Sequence, residues 1–487
     1  MLYPINFKRV LFFILLLLLI SCGGSCGGGG GASTEDFTPG GALSADPANP
    51  RYFMDASGRT VYLTGSHTWA NLKDRGTTDP PSPFDYGAYL DFLEKYNHNF
   101  IRLWTLEESN YYDPETKKHF YMAPFPWVRS GPGLALDGRP KFDLKKLNED
   151  YFSRLRSRVA QARERGIYVA VMLFDGWNAL NTGRDKSKWK GNPFNKENNV
   201  NGINGDPDGD GIGLEVNTLE VPEITRIQEA YVKKVVDTLN GLDNVLWEIA
   251  NEGHEGSVEW QYHFLKFIKH YESQKPLRHP LGLTHIEPHG GNPELFKSEA
   301  AWVSPGTETS YRNEDDPYIK DPPPADGRKV VILDTDHLWG VGGNHKWVWK
   351  SFMGGYNPIF MDPYEEEYRY GPGDKEEFEL VRKSMGQTLS YANRIDLRNM
   401  LPAGRLASTR YCLAKAGSEY LVYLPDGGSV SVDLSGADLE GSEGEFTVEW
   451  FSPVEGSTAS GGTVQGGGEV TLSSPFDGDA VLYLRKN

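Results

Sequence analysis

Eight short apolar runs, each followed by a stretch of helical spacing, constrain this 487-residue chain more than any other feature. They fall at 60–66, 100–104, 167–174, 244–250, 280–286, 300–304, 329–334 and 357–361. Strands that alternate with helices imply parallel pairing through crossovers. Runs that are apolar throughout, such as "IYVAVMLF", imply strands covered on both faces. Between them, "FDYGAYLDFLEKYNHN" lines up Phe84, Tyr89, Phe92, Leu93 and Tyr96 with helical spacing. "DLKKLNEDYFSRLRSRVAQARERG" stops at Gly166, a C-terminal cap, and Pro222 stands near the start of "VPEITRIQEAYVKKVVDTLNGLD". The pattern predicts an α/β fold, a (β/α)8 TIM barrel with enlarged loops, over residues 49–400. An open doubly wound sheet is the alternative. It is disfavoured because no Gly-rich phosphate turn follows the first strand.

After about Leu401 the texture changes. Short alternating runs are separated by Gly, Asp and Pro turns, with no helical period. This predicts a small C-terminal β-sandwich over 401–487.

The N-terminus reads as an export signal over residues 1–21. Lys8 and Arg9 precede "LFFILLLLLI", which is short for a membrane span. "LISC", Leu19 to Cys22, resembles the bacterial lipobox, which implies cleavage before Cys22 and acylation of its thiol. Residues 22–48 read as a glycine-rich tether. The expectation is a protein exported and lipid-anchored in the bacterial cell envelope, at the outer membrane, on its periplasmic or surface face. Membrane contact would come only through Cys22. Cys22, Cys26 and Cys412 are the only cysteines, so no disulfide framework or thiolate metal site is implied.

The net charge of −17 becomes −19 once Lys8 and Arg9 leave with the signal. Nothing here neutralises phosphates, which excludes nucleic acid as a partner. Twelve Trp and 25 Tyr supply flat faces beyond what a core consumes.

In such a barrel the active site lies at the C-terminal ends of the strands. The residues at and after each run are His67, Trp69 and Asn71 (strand 1), Arg102 and Trp104 (strand 2), and Asp175 and Trp177 (strand 3). Strand 4 gives Asn251 and Glu252, and strand 5 Glu287 and His289. Strand 7 gives Asp334, Asp336, His337 and Trp339, and strand 8 Asp362 and Tyr364. No HExxH or P-loop is present, and no GxSxG follows any of the eight runs. Paired carboxylates with indoles suit glycoside hydrolysis. One carboxyl is held protonated for the leaving oxygen, and the other is ionised to attack the anomeric carbon or activate water. Glu252 is the candidate acid and a strand-7 Asp the candidate nucleophile. Glu248, inside the barrel, reads as a structural partner of Arg102, and Glu255 as a solvated loop acid.

"WEIANE" resembles the W-E-x-x-N-E signature of clan A glycoside hydrolases. "FIRLW", "LDTDH" and the tail "YLVYLPDGG … VEWFSP … FDGDAVLYL" extend the likeness to residues 51–487. The whole resembles apiosidase-related barrels fused to the domain labelled as the collagen-binding domain of a collagenase. The resemblance implies Glu252 as acid/base, a strand-7 acid as nucleophile and Arg102 as its support. Relatives typically carry D-G-E at strand 7. Aligning D-T-D on it puts Asp336 in the nucleophile place, with Asp334 two residues earlier. The shorter Asp leaves retention or inversion open. Asn251, Arg102, His67, Trp69, Trp104, Asp175, Trp177, His289, His337 and Trp339 are the expected substrate-binding residues. The collagenase label finds no protease chemistry here.

The expected function is that of an exported glycoside hydrolase that cleaves O-glycosidic bonds of a poly- or oligosaccharide with a two-carboxylate mechanism. A non-catalytic surface glycan-binding barrel is the alternative. No cofactor is required. "NGDPDGDGIG" places Asp206, Asp208 and Asp210 as the first half of a D-x-D-x-D-G loop, an expected structural calcium site that lacks the bidentate Glu at its twelfth position, Asn217.

Overall fold

The structure, a computed structural model, describes residues 41–114, 116–176, 187–288, 290–364, 375–435 and 444–487. The leader, the tether with Cys22, Trp177 and His289 lie outside the described residues.

Eight parallel strands form the barrel: β1 (Gly65–His67), β2 (Phe100–Leu103), β3 (Tyr168–Asp175), β4 (Val245–Asn251), β5 (Leu281–Thr284), β6 (Trp302–Ser304), β7 (Val330–Asp334) and β8 (Asn357–Met361). Their spatial order is β1-β8-β7-β6-β5-β4-β3-β2. The ring closes beneath β1, where the Asn99 N–H donates to the Thr64 carbonyl at 3.1 Å and the Thr64 N–H to Asn99 Oδ1 at 2.9 Å. Gly65 permits this closure, since a Cβ there would lie 2.3 Å from the Phe100 carbonyl oxygen. Each strand is followed by a helix that returns to the next: α1 (Tyr86–Lys95), α2 (Glu149–Glu164), α3 (Pro222–Leu239), α4 (Val258–Glu272), α5 (Asn292–Lys297), α6 (Pro317–Lys320), α7 (His345–Met353) and α8 (Glu376–Arg394), with a further short helix, Ser187–Gly191, in the loop after β3. Local chemistry fixes their ends. Asp85 caps α1 by accepting from the Ala88 N–H, Asn148 caps α2, and Gly166 takes φ +70° just past the end of α2. β3 and β4 are buried along their whole length, as strands covered on both faces must be.

One strand differs from expectation. Thr60–Val61 belongs to a small antiparallel sheet with Phe53–Met54 and Ser44–Ala45, and the first barrel strand starts only at Gly65. The run continues through both, so apolarity alone does not mark the break.

The sandwich comprises β9 (Leu401–Pro402), β10 (Cys412–Lys415), β11 (Glu419–Leu424), β12 (Ser429–Asp433), β13 (Glu445–Ser452), β14 (Ser457–Gln465), β15 (Glu469–Ser473) and β16 (Ala480–Lys486). Six strands, ordered β9-β10-β11-β16-β13-β14, face the pair β12-β15. Alternation divides the larger sheet between two cores. Tyr420, Val422, Leu482 and Trp450 pack toward the small sheet. Leu421, Tyr423, Phe451, Val481 and Tyr483 pack on Trp349, Phe352 and Tyr391 of α7 and α8. Cys412 is a buried free thiol, pushed up to about 12 by its burial.

Candidate active site

Arg102 organises the rim. It projects from β2 with 1% of its surface exposed, and all five guanidinium donors find acceptors. Nε and Nη2 grip Glu248 at 2.9 and 2.5 Å, Nη2 also reaches Asn251 Oδ1 at 2.5 Å, and Nη1 reaches Asp334 at 2.8 Å and Asp336 at 3.1 Å. A buried cation surrounded by three carboxylates needs this degree of satisfaction to be tolerated.

Asp334, at the end of β7, is fully buried. It accepts from Arg102, from His67 Nε2 at 3.0 Å and from the Asp336 N–H at 2.9 Å. The Trp104 indole N–H donates to His67 Nδ1 at 3.0 Å. An indole only donates, so Nδ1 is the acceptor and Nε2 carries the proton given to Asp334. Burial raises the proton affinity of Asp334, but His67 and Arg102 outweigh it and hold the carboxyl well below the usual range. Trp104, 3% exposed, lies between this ring and Trp69 and acts as a support.

Asp336 and Glu252 are the acids of this group that keep contact with the surface, 8% and 7% exposed. Carboxylate oxygens of the two lie within 4.8 Å of each other. Burial and the neighbouring Asp334 raise Asp336 to about 6, with Arg102 opposing them. Burial, then Asp336, Glu287 and Asp175, push Glu252 well above the ordinary value. Glu252 also adopts φ +43°, which non-glycine residues rarely take. Thr284 Oγ1 braces this turn, donating to the Ala250 carbonyl at 2.7 Å and accepting from the Glu252 N–H at 3.3 Å. Gly176 lies against it, for a Cβ there would sit 2.7 Å from Gly253 Cα and 2.9 Å from the Glu252 carbonyl oxygen.

His337 donates from Nε2 to Asn251 Oδ1 at 3.3 Å, and its Nδ1 meets Ser304 Oγ at 2.9 Å. Burial and the Arg102 charge depress its pKa well below the usual histidine range. Trp339, 9% exposed, packs edge-on against Trp347. Asp175 ends β3 opposite Asn251 with no exposed surface, and among the described residues neither carboxylate oxygen has a hydrogen bond. Burial and the acids Glu108 and Glu107 raise its proton affinity strongly. Asp362 is occupied by a bidentate pair with Arg382. Glu255 is exposed.

Three participants were not singled out from sequence: Thr284, Ser304 and Glu107. Thr284 and Ser304 are the polar last residues of β5 and β6, and that position was their signal. Glu107 follows β2 by a few residues and is raised to about 7 by burial.

Asp206, Asp208 and Asp210 bring one oxygen each within 4.8 Å of one another. Their charges also act on Glu215. The loop is tied to the active rim where the Leu214 carbonyl meets His254 Nε2 at 3.1 Å.

Residues 107–287 match a sequence family described as a domain of unknown function, DUF6298, and residues 398–485 match "Putative collagen-binding domain of a collagenase". Among curated proteins, none matches the chain. Solved structures similar to this chain include a "putative glycoside hydrolase" from Bacteroides vulgatus (16% identity, TM-score 0.61, covering 94% of this chain and 84% of that one). A glycoside hydrolase family 5 structure from Bacteroides vulgatus matches at 12% identity and TM-score 0.58, over 92% and 94% of the two chains. A third, described as a glycoside hydrolase, matches at 12% identity and TM-score 0.55, over 92% and 97%. At these identities the likeness establishes the fold, a (β/α)8 barrel joined to a β-sandwich.

Proposed function

We propose that this protein is a retaining glycoside hydrolase, with Glu252 as acid/base and Asp336 as nucleophile. One observation carries the reading: two neighbouring rim carboxyls in different company, Asp336 taking a hydrogen bond from the Arg102 guanidinium at 3.1 Å and Glu252 set among other acids that, with burial, push it well above the ordinary value. Glu252 gives its proton to the glycosidic oxygen while the Asp336 carboxylate attacks the anomeric carbon, releasing the leaving group as an alcohol. Glu252, now ionised, takes a proton from water. That water attacks the same carbon and frees Asp336. Arg102 orients the nucleophile. Asp334 is spent on Arg102 and His67, which favours Asp336 among the two strand-7 acids. The short carboxyl separation supports retention, since inverting enzymes need about 6.5–9.5 Å to admit a water. Asn251 commits its Oδ1 to Arg102 and His337, leaving its amide N–H group for a substrate hydroxyl.

The test is a polysaccharide panel with wild type and Glu252→Gln, following products by proton NMR. We expect hydrolysis with retained anomeric configuration, and a loss on the order of 10²–10⁴-fold in the variant. Equal behaviour of the two proteins on every glycan would favour the non-catalytic binding reading instead. We further propose that Cys22 carries a lipid anchor to the cell envelope. Cys22→Ser is expected to release the protein from the membrane fraction, and unchanged fractionation would discard the anchor. A structural calcium at Asp206, Asp208 and Asp210 belongs to the same proposal.

A further inference from the structure

The loops after β1 and β2 build a second surface on the catalytic rim. Asp74–Gly76, Lys118–Ala123 and Asn110–Asp113 form a three-stranded antiparallel sheet in that order. Its inner face is core, with Tyr111, Phe120 and Met122 buried. The strand period turns Tyr112, His119 and Tyr121 to the other side. Tyr112 and His119 are partners across the ladder, with ring centroids 5.5 Å apart. The Tyr121 ring lies 6.1 Å from His119 at 29°. Tyr112 is 38% exposed, His119 is exposed and Tyr121 partly so. The partner of Tyr121 on the edge strand is Gly76, which has no side chain to cover the ring. The edge is held in place, because Asp74 accepts from the Phe84 N–H at 3.0 Å and pairs with Arg154 at 2.8 Å.

A strip of three rings is too small for a protein partner. Each aromatic offers roughly 150–250 Å² even when wholly covered, and not all of any ring is open here, while a standard interface takes about 800 Å² per side. It does suit a sugar chain, whose rings present flat C–H faces edged with hydroxyls, as these side chains present flat faces edged with O–H and N–H groups. Both parent loops leave the C-terminal ends of barrel strands, so the strip shares the face that carries Glu252 and Asp336.

We propose that Tyr112, His119 and Tyr121 form an accessory platform on which a glycan chain lies beside the catalytic centre, so that the substrate is a chain of several sugar units. The substrate half of this statement rests on the hydrolase reading; the binding half stands without it. Affinity electrophoresis in gels containing soluble plant, algal and microbial polysaccharides tests it, using Glu252→Gln so that binding is read without cleavage. Retardation by at least one polysaccharide is expected, weakened at least tenfold in the Tyr112→Ala/Tyr121→Ala derivative and kept by Tyr112→Phe. The melting temperature should stay within about 1 °C, as surface substitutions generally allow. If the double variant loses its fold, Tyr112→Ala alone carries the comparison. Equal retardation of parent and derivative, or none for the parent on any polysaccharide, overturns the platform. Hydrolysis by wild type is scored separately on the same panel. Cleavage without tyrosine-dependent binding leaves the hydrolase standing and removes the platform, while tyrosine-dependent binding without cleavage does the reverse.

Discussion

Asp334 and Asp175 are the same residue at the same depth. Each ends a barrel strand, and neither has exposed surface. Asp334 accepts from a guanidinium, an imidazole and a backbone N–H, and these hold it ionised. Among the described residues Asp175 has no hydrogen bond, and burial with the acids Glu108 and Glu107 raises its proton affinity strongly against the opposing charge of Lys188. Depth alone therefore says nothing about the charge of a rim carboxyl. The partners decide, and the side chains among them come from other strands.

The harshest way to break the contrast is to remove Arg102. Arg102→Met leaves Glu248, Asp334 and Asp336 without their shared cation. It should cost at least about 3–5 kcal/mol in urea unfolding, the usual effect of orphaning a buried charge. A loss under about 1 kcal/mol would mean that the carboxylates find other relief. A gentler intervention works through pH. Asp336 must be ionised, so kcat/KM should fall as pH drops through about 6, and Glu252 must be protonated, so it should fall again at higher pH. Asp334 raises Asp336, hence Asp334→Asn should move the acidic limb to lower pH; an unmoved limb would assign it to another group.

Asp175→Asn sharpens the other half. Asp175 binds its proton more tightly folded than unfolded, so stability drains away as pH rises from the ordinary carboxylate value towards the folded one. The variant should match wild type near pH 4 and gain about 1–2 kcal/mol near pH 8. A loss of stability at pH 8 would reveal a structural partner for Asp175. The smallest effect concerns the Asp206 loop. Chelation should lower the melting temperature by roughly 2–4 °C. An unchanged value ends the calcium proposal.

Much of this was legible in the sequence for a simple reason. Strands buried on both faces write themselves as unbroken apolar runs, and β3 and β4 read almost to the residue. The polar residues ending such runs fall on one rim by topology, which located Arg102, Glu252 and Asp336. What the sequence hid was direction and company. Trp104 and Trp339 follow strands just as an exposed platform would, yet both rings turn inward. Which acid of "LDTDH" faces Glu252 depended on His67, some 270 residues away in the chain. The sheet carrying Tyr112 and Tyr121 left a faint signal, the alternation in "NYYD" and "KHFYMA", within a loop that composition does not resolve.

The larger sheet of the sandwich uses both of its faces, and one of them is shared with α7 and α8. This makes the tail a poor cassette. A gene fragment ending near residue 400 would strip the cover from Trp349, Phe352 and Tyr391, and one starting there would bare Leu421, Tyr423 and Tyr483. Shuffling between such chains must carry barrel and sandwich together, or exchange them as matched halves.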